Sequence, residues 1–212
     1  MPTMKISTIM LGWDKTNRYQ NERAYTEVTM HQTVIWKQKM EDGMEYCTFQ
    51  YDSRMSIEGT VIARPQDDHW LIQYKVDTDK EGITQGVHIK FRHGEGEQIV
   101  QIRRQQDGQW FSNGLVLPAC AGLSFIDIGV TPATNSLPIR AFQLKVGEAQ
   151  TFSAVWVRFP QLTVEPLHQK YERLDESTYR YTSIESGYTA LLEVDEHGIV
   201  TDYEGEWTAL HH

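Results

Sequence analysis

The chain is short of the residues from which most functional signatures are built. Only two of its 212 residues are cysteine, Cys47 and Cys120, and they stand far apart in no C-x-x-C or ligand-like spacing. Neither a disulfide framework nor a thiolate zinc site is therefore expected, and both read as reduced, buried thiols suited to a reducing interior. No apolar run approaches the roughly 20 residues that cross a bilayer. The amino terminus has an apolar patch of only about six residues and no small-x-small cleavage site, unlike a signal peptide, and no N-x-[ST] sequon occurs. Positive charge is scarce too: 20 Lys and Arg against 29 Asp and Glu leave a net charge of -9, which repels phosphate backbones and anionic lipid head groups at long range. Nucleic acid and stable membrane insertion are thus not expected, nothing assigns an oligomeric state, and the expected location is cytoplasmic.

Signature motifs are missing as well. G-x-S-x-G, H-E-x-x-H, G-x-x-x-x-G-K-[ST] and G-x-G-x-x-G are all absent, so no cofactor is expected. His88 and His93 are an odd number apart, face opposite sides of one strand and cannot share a metal.

What the chain does have is period-2 patterning. Thr33 to Lys37, Met55 to Ala63, Trp70 to Asp77, Gly86 to His93 and Gln98 to Arg104 are short, rich in β-branched and aromatic residues, and bounded by Gly, Asp or Pro. Their even spacing predicts an antiparallel meander. Two hairpins are expected, at Asp107-Gly108 and at Val194 to Ile199, where D-G or a Gly-containing turn accepts positive φ. In the second, Tyr188, Ala190, Leu192 and Val194 share one face. Thr151 to Phe159 is apolar on both faces, which places it centrally in a sheet covered on both sides. Long helical periodicity is missing; a short helix fits near 130–137 or in the first 30 residues. Residues 1–30 are polar and weakly patterned and read as an arm or extension, and 31–210 as a single β domain. The closing His211 and His212 are either native or tag and carry no argument.

Phe125 to Arg140, F-I-D-I-G-V-T-P-A-T-N-S-L-P-I-R, resists a plain strand or helix reading. Ile126 and Ile128 alternate with Phe125 and Asp127, then Gly129, Pro132, Asn135 and Pro138 punctuate the backbone before apolar alternation resumes at Ile139. Asn135 suits a turn in which its amide caps its own backbone. Arg140, in an apolar context, needs partners such as Asp127 or a run of carbonyls; in a cavity its planar fork would suit a carboxylate, a phosphate or vicinal hydroxyls. Asp67-Asp68-His69 follows Pro65 and reads as a solvated turn. Trp110, Tyr171, Tyr179, Tyr181 and Tyr203 fall on strands, where core and cross-strand packing is the first explanation. Tyr179 shares a face with Tyr181, and Gln169 with Tyr171, so a polar and aromatic wall is the alternative.

Four strings carry a resemblance: D-I-G-V-T-P-A-T-N-S-L-P-I-R (127–140), L-T-V-E-P-L-H-Q-K-Y-E-R-L (162–174), Y-R-Y (179–181) and V-D-E-H-G-I-V-T-D-Y-E-G (194–205). Looser matches run upstream through Trp36, G-T-V-I at 59–62, Tyr74, Val76, Asp77, Trp110 and Gly114. Over 31–208 the chain resembles the bacterial putative glycolipid-binding protein family. The resemblance implies an all-β fold, an antiparallel curved sheet forming a spiral β-roll or half-barrel with at most one or two short helices. It also implies a glycolipid or other amphiphile as ligand, with acyl chains on an apolar concave face and a polar rim for the head group. The family's G-C-x-D-V-D-like string is altered here: Leu123 to Asp127 keeps only the second acid, and Cys120 is displaced by three residues, which weakens any role for an acid pair.

The expected polar contacts are Asp127, Asn135, Arg140, Gln169, Tyr171 and Tyr181, with no catalytic or metal-binding residues assigned. An enzyme acting on a sugar or small metabolite, with Asp127 as acid or base and Arg140 as anion clamp, is the alternative; a ligand-free interaction module is the third.

Overall fold

Alternation along the chain becomes alternation across a sheet in the computed structural model, which describes residues 3–5 and 29–210. Sixteen strands are present among them. The first half contributes β1 (Thr3–Lys5), β2 (Thr29–Gln38), β3 (Gly43–Tyr51), β4 (Met55–Ala63), β5 (Trp70–Thr78), β6 (Thr84–His93), β7 (Gly96–Arg104), β8 (Trp110–Ser112) and β9 (Leu115–Val116). The second contributes β10 (Ile126–Ile128), β11 (Ala149–Arg158), β12 (Thr163–Arg173), β13 (Thr178–Ser183), β14 (Thr189–Val194), β15 (Val200–Tyr203) and β16 (Trp207–Ala209). The only α-helix among the described residues is the short α1 (Ser136–Phe142). Most of the expected arm, and its alternative helix, lies outside the described residues, as do His211 and His212.

The strands form one large, curved, unclosed sheet. Its order runs from β10 to β16 and then from β2 to β9, with β1 added beside β2. Every pairing is antiparallel except β10 with β11. The two halves are joined where β16 pairs with β2, Trp207 opposite Gln38. Because β3 fills one edge of β2, β1 and β16 share the other, at opposite ends of the strand. A meander of this length with right-handed strand twist curls on itself, so its inner side becomes the core.

One row across the sheet, Cys47–Gly59–Tyr74–Ile89–Val100, shows the patterning at work. Phe49, Ile57, Ile72, Ile89, Phe91 and Ile102, on inward positions, are fully buried. The positions between them are outward, where Lys75 Nζ meets Glu58 Oε1 at 2.7 Å. Both cysteines are free and buried.

The five strands read from the sequence are present, Met55–Ala63 with the same bounds. Strand β3 was not among them: its inward row includes Glu45, which breaks an otherwise apolar alternation with Cys47, Phe49 and Tyr51. Both hairpins form, with a different turn from the two-residue D-G type. Gln105 N–H bonds Gln109 O at 2.8 Å and Asp195 N–H bonds Ile199 O at 2.9 Å, closing three-residue loops in which only the glycines, Gly108 and Gly198, take positive φ. Strand β11 is covered on both sides, since neighbours Ala154 and Val155 are both buried. It is not central, however; it lies next to the terminal strand β10, and Phe125 and Phe142 of α1 pack against its Phe152.

Apolar alternation does not resume at Ile139. Residues 133–142 are a 3-10 turn leading into α1, so Arg140 is helical. Pro138 is admitted because it lies in the helix's first turn, where backbone N–H groups have no intrahelical acceptor anyway. The helix stops at Gln143, which takes φ 47° and returns its N–H to Ile139 O.

Candidate functional site

Residues 131–139, T-P-A-T-N-S-L-P-I, are all buried. An irregular segment lodged inside a roll has backbone groups that water cannot reach, so its short polar side chains must pair them. Thr131 Oγ1 accepts from Ala133 N at 3.0 Å, Thr134 Oγ1 accepts from Ile128 N at 3.2 Å, and Ser136 Oγ donates to Ala133 O at 2.6 Å. This explains the composition that fits neither strand nor helix: the segment is a plug.

Beneath the plug lies an acid that sequence reading did not single out. Glu45 is fully buried; Tyr74 and Thr131 donate to its Oε1, the latter at 2.8 Å, while Oε2 has no partner. Burial raises its carboxyl to about 7, against the lowering effect of those two bonds. Cys47 Sγ stands 3.5 Å from Tyr74 Oη. The available signal was one charged residue on an otherwise apolar face of an alternating strand.

Beside the plug, an open pocket of about 460 Å³ is lined by strands β10 to β13, β15 and β16 and the connections between them. Its polar groups are Asp127, Thr131, Asn135, Ser183, Ser186, Glu185, Glu206 and Arg158, and its rings are Trp156, Tyr181, Tyr188, Tyr203 and Trp207. The register explains this convergence: Tyr171, Tyr181 and Ala190 face one another across β12, β13 and β14, Gln169 faces Ser183, and Trp207 faces Tyr203. Gly129 is required here, since a Cβ on it would stand 2.8 Å from the indole nitrogen of Trp156.

The tyrosines pack edge to face: Tyr171 to Tyr181 at 5.4 Å, Tyr181 to Tyr188 at 6.2 Å and Tyr181 to Tyr203 at 6.3 Å between centroids. Burial first, and neighbouring acids and phenols second, raise the hydroxyls of Tyr181 and Tyr203, and Tyr188 is pushed up to about 12, so all three remain neutral donors. Asp127 receives a hydrogen bond on Oδ2 from Gln169 Nε2, while Oδ1 accepts from no described residue. Burial raises its carboxyl to about 6, partly opposed by the Gln169 bond.

The six expected contacts therefore separate into three places. Asp127, Asn135 and Tyr181 line the pocket. Gln169 and Tyr171 are buried behind it as supports, Gln169 holding Asp127 and Tyr171 accepting from Asn135 Nδ2 at 2.6 Å. That last bond replaces the expected self-capping of Asn135. Arg140 lies in a separate cleft with Tyr51 and Asp79, donates to His197 O at 2.6 Å and stacks 4.3 Å from the Tyr51 ring centroid. It does not meet Asp127, so the expected pairing of that acid with that guanidinium does not form. Trp156, Tyr188, Glu206 and Trp207 were missed because their convergence depends on the pairing of distant strands. Asp68 is a solvated turn residue, bonded to His69 N and Trp70 Nε1 at 2.8 Å.

None of the curated proteins matches this chain. A crystal structure of a DUF1089 family protein from Pseudomonas aeruginosa is similar to it, with 25% identity and a TM-score of 0.69 over 93% of this chain and 100% of the other. The family model described as "Putative glycolipid-binding" matches residues 33–209. The chain belongs to that family.

Proposed function

From that membership we propose that this protein binds an amphipathic ligand such as a glycolipid by its hydroxyl-bearing head group, in the aromatic pocket around Asp127. The observation that carries this reading is the pocket's make-up: five rings, neutral phenol donors and an open carboxylate oxygen in a volume of about 460 Å³, a setting that takes the apolar faces of a sugar on its rings and the hydroxyls on its polar groups. Asp127, Asn135 and Tyr181 are its contacts, and Gln169 and Tyr171 its supports; Arg140 serves the fold instead.

The resemblance implied acyl chains on an apolar concave face, and the centre of that face is occupied by the protein itself. The centre of the concave face is filled by the plug and by fully buried Trp36, Phe49, Phe91 and Trp110. A second cleft of about 410 Å³ adjoins the pocket through Gly129, Glu206 and Trp207; it carries Trp70, Val130, Phe159 and Met40, yet its open lining is mostly polar, with Gln38, Glu41 and Glu206. No helix among the described residues is long and apolar enough to cross a membrane. Residues 31–210 act in this reading as a single β-roll domain in a reducing, cytoplasmic setting; the continuous sheet and the two free, buried cysteines support it.

Native mass spectrometry and calorimetry with short-chain alkyl glycosides test the proposal. Binding should be saturable and should fall about tenfold in Tyr188→Ala; Tyr188 is 39% exposed and its removal should barely move the thermal midpoint. A protein that takes up none of these amphiphiles does not have this function.

A further inference from the structure

The charge around the pocket narrows the head group further, provided the reading above holds. Three carboxylates line it, Asp127, Glu185 and Glu206, against the single guanidinium of Arg158. Arg158 does not neutralise them: its guanidinium stands over Trp156, 5.5 Å from the ring centroid, so one ring of the site already holds a cation on its face. Glu185 is paired with His168, and Glu206 Oε1 accepts from Tyr188 Oη at 3.3 Å. Asp127 is the innermost acid, the other two being exposed, and its Oδ1, like Oε2 of Glu185 and of Glu206, accepts no hydrogen bond from a described residue. The rings of Tyr181, Tyr188, Tyr203 and Trp207 line the same pocket.

We propose that the ligand's head group is cationic, an amino sugar or similar ammonium-bearing polyol, with the ammonium on Asp127 Oδ1 and against the surrounding rings. An ammonium removed from water loses hydration, which an opposite charge at contact distance and the negative faces of aromatic rings restore. A neutral hydroxyl in that position makes only the weaker, uncharged hydrogen bond. A carboxylate or phosphate head group meets the like charge of three lining carboxylates against one guanidinium and is disfavoured.

The test compares three probes on one alkyl chain: octyl glucoside, its 2-amino-2-deoxy analogue and octyl glucuronide, titrated calorimetrically at neutral pH. The amine should bind at least about tenfold tighter than the neutral glycoside, and the glucuronide weakest. In Asp127→Asn the ratio of amine to neutral affinity should collapse towards one. Glu206→Gln, at an exposed position, should lower the same ratio by a smaller factor and guards against a folding defect in the first variant. Equal binding of amine and neutral glycoside, or an amine preference that survives Asp127→Asn, overturns the inference while leaving sugar binding intact. Failure of all three probes removes the underlying reading and the inference with it.

Discussion

The ring of Tyr74 lies directly over the backbone of Gly59, so closely that a Cβ at residue 59 would stand 2.2 Å from Tyr74 Cζ. Gly59 sits between Cys47 and Tyr74 in one cross-strand row. Its missing side chain is the space through which the phenol reaches Glu45.

Gly59→Ala should therefore destabilise the fold by at least about 2 kcal/mol, since overpacking displaces the ring and breaks a buried polar cluster. Chemical denaturation of Gly59→Ala, Tyr74→Ala and the double variant measures it. The second substitution should cost much less in the double variant than alone; additive losses would show that the two residues do not share this space.

Glu45 makes stability depend on pH in the direction opposite to a salt-bridged acid. Its carboxyl ionises near 4.5 in the unfolded chain and near 7 in the fold. Below 4.5 it is protonated in both states and costs nothing; as pH rises through 7, the fold must either hold the proton or bury the charge. Its contribution is thus fully favourable in acid and lost by about pH 7, on the order of a few kcal/mol. Urea midpoints of Glu45→Gln minus wild type should rise between pH 4.5 and 7.5. A flat difference would refute the burial argument.

Asp127 adds the same sign over a lower window, from its ordinary 3.8 to about 6. Asp127→Asn keeps an acceptor for Gln169 and removes a charge from a half-buried site, so its thermal midpoint above pH 6 should be unchanged or higher. A large drop would mean that the carboxylate is structural and that its exposed oxygen is incidental.

Arg140→Ala separates fold from site. Losing a charged hydrogen bond to His197 O and a ring contact with Tyr51 should cost about 2 kcal/mol, while alkyl glycoside affinity per folded molecule stays within about twofold of wild type. A strong loss of affinity with unchanged stability would return Arg140 to the ligand.

Much of the fold is local and was therefore legible. Period-2 runs and glycine turns report which residues face inward within a strand, and this is why β4 and the hairpin around Gly198 emerge from the sequence. Pro138 and Arg140 were misread because a proline in a first helical turn and a proline after a strand look alike in sequence. Asn135, Ser136 and Thr134 look like turn residues for the same reason they serve as plug residues: both jobs consist of pairing backbone groups.

An antiparallel β architecture and two hairpins follow from the sequence alone, because alternation and turn chemistry are written over a few neighbouring residues, and the family follows from the resemblance of its strings. The tertiary structure decided that Asp127 and Arg140 part company, that Glu45 lies under the plug, and that Tyr181, Tyr188, Tyr203 and Trp207 line one pocket with Asp127. Those outcomes depend on the register of strands far apart in the chain and on the roll that β16 completes by pairing with β2. Periodicity specifies the face of a side chain, and only long-range pairing specifies its neighbours.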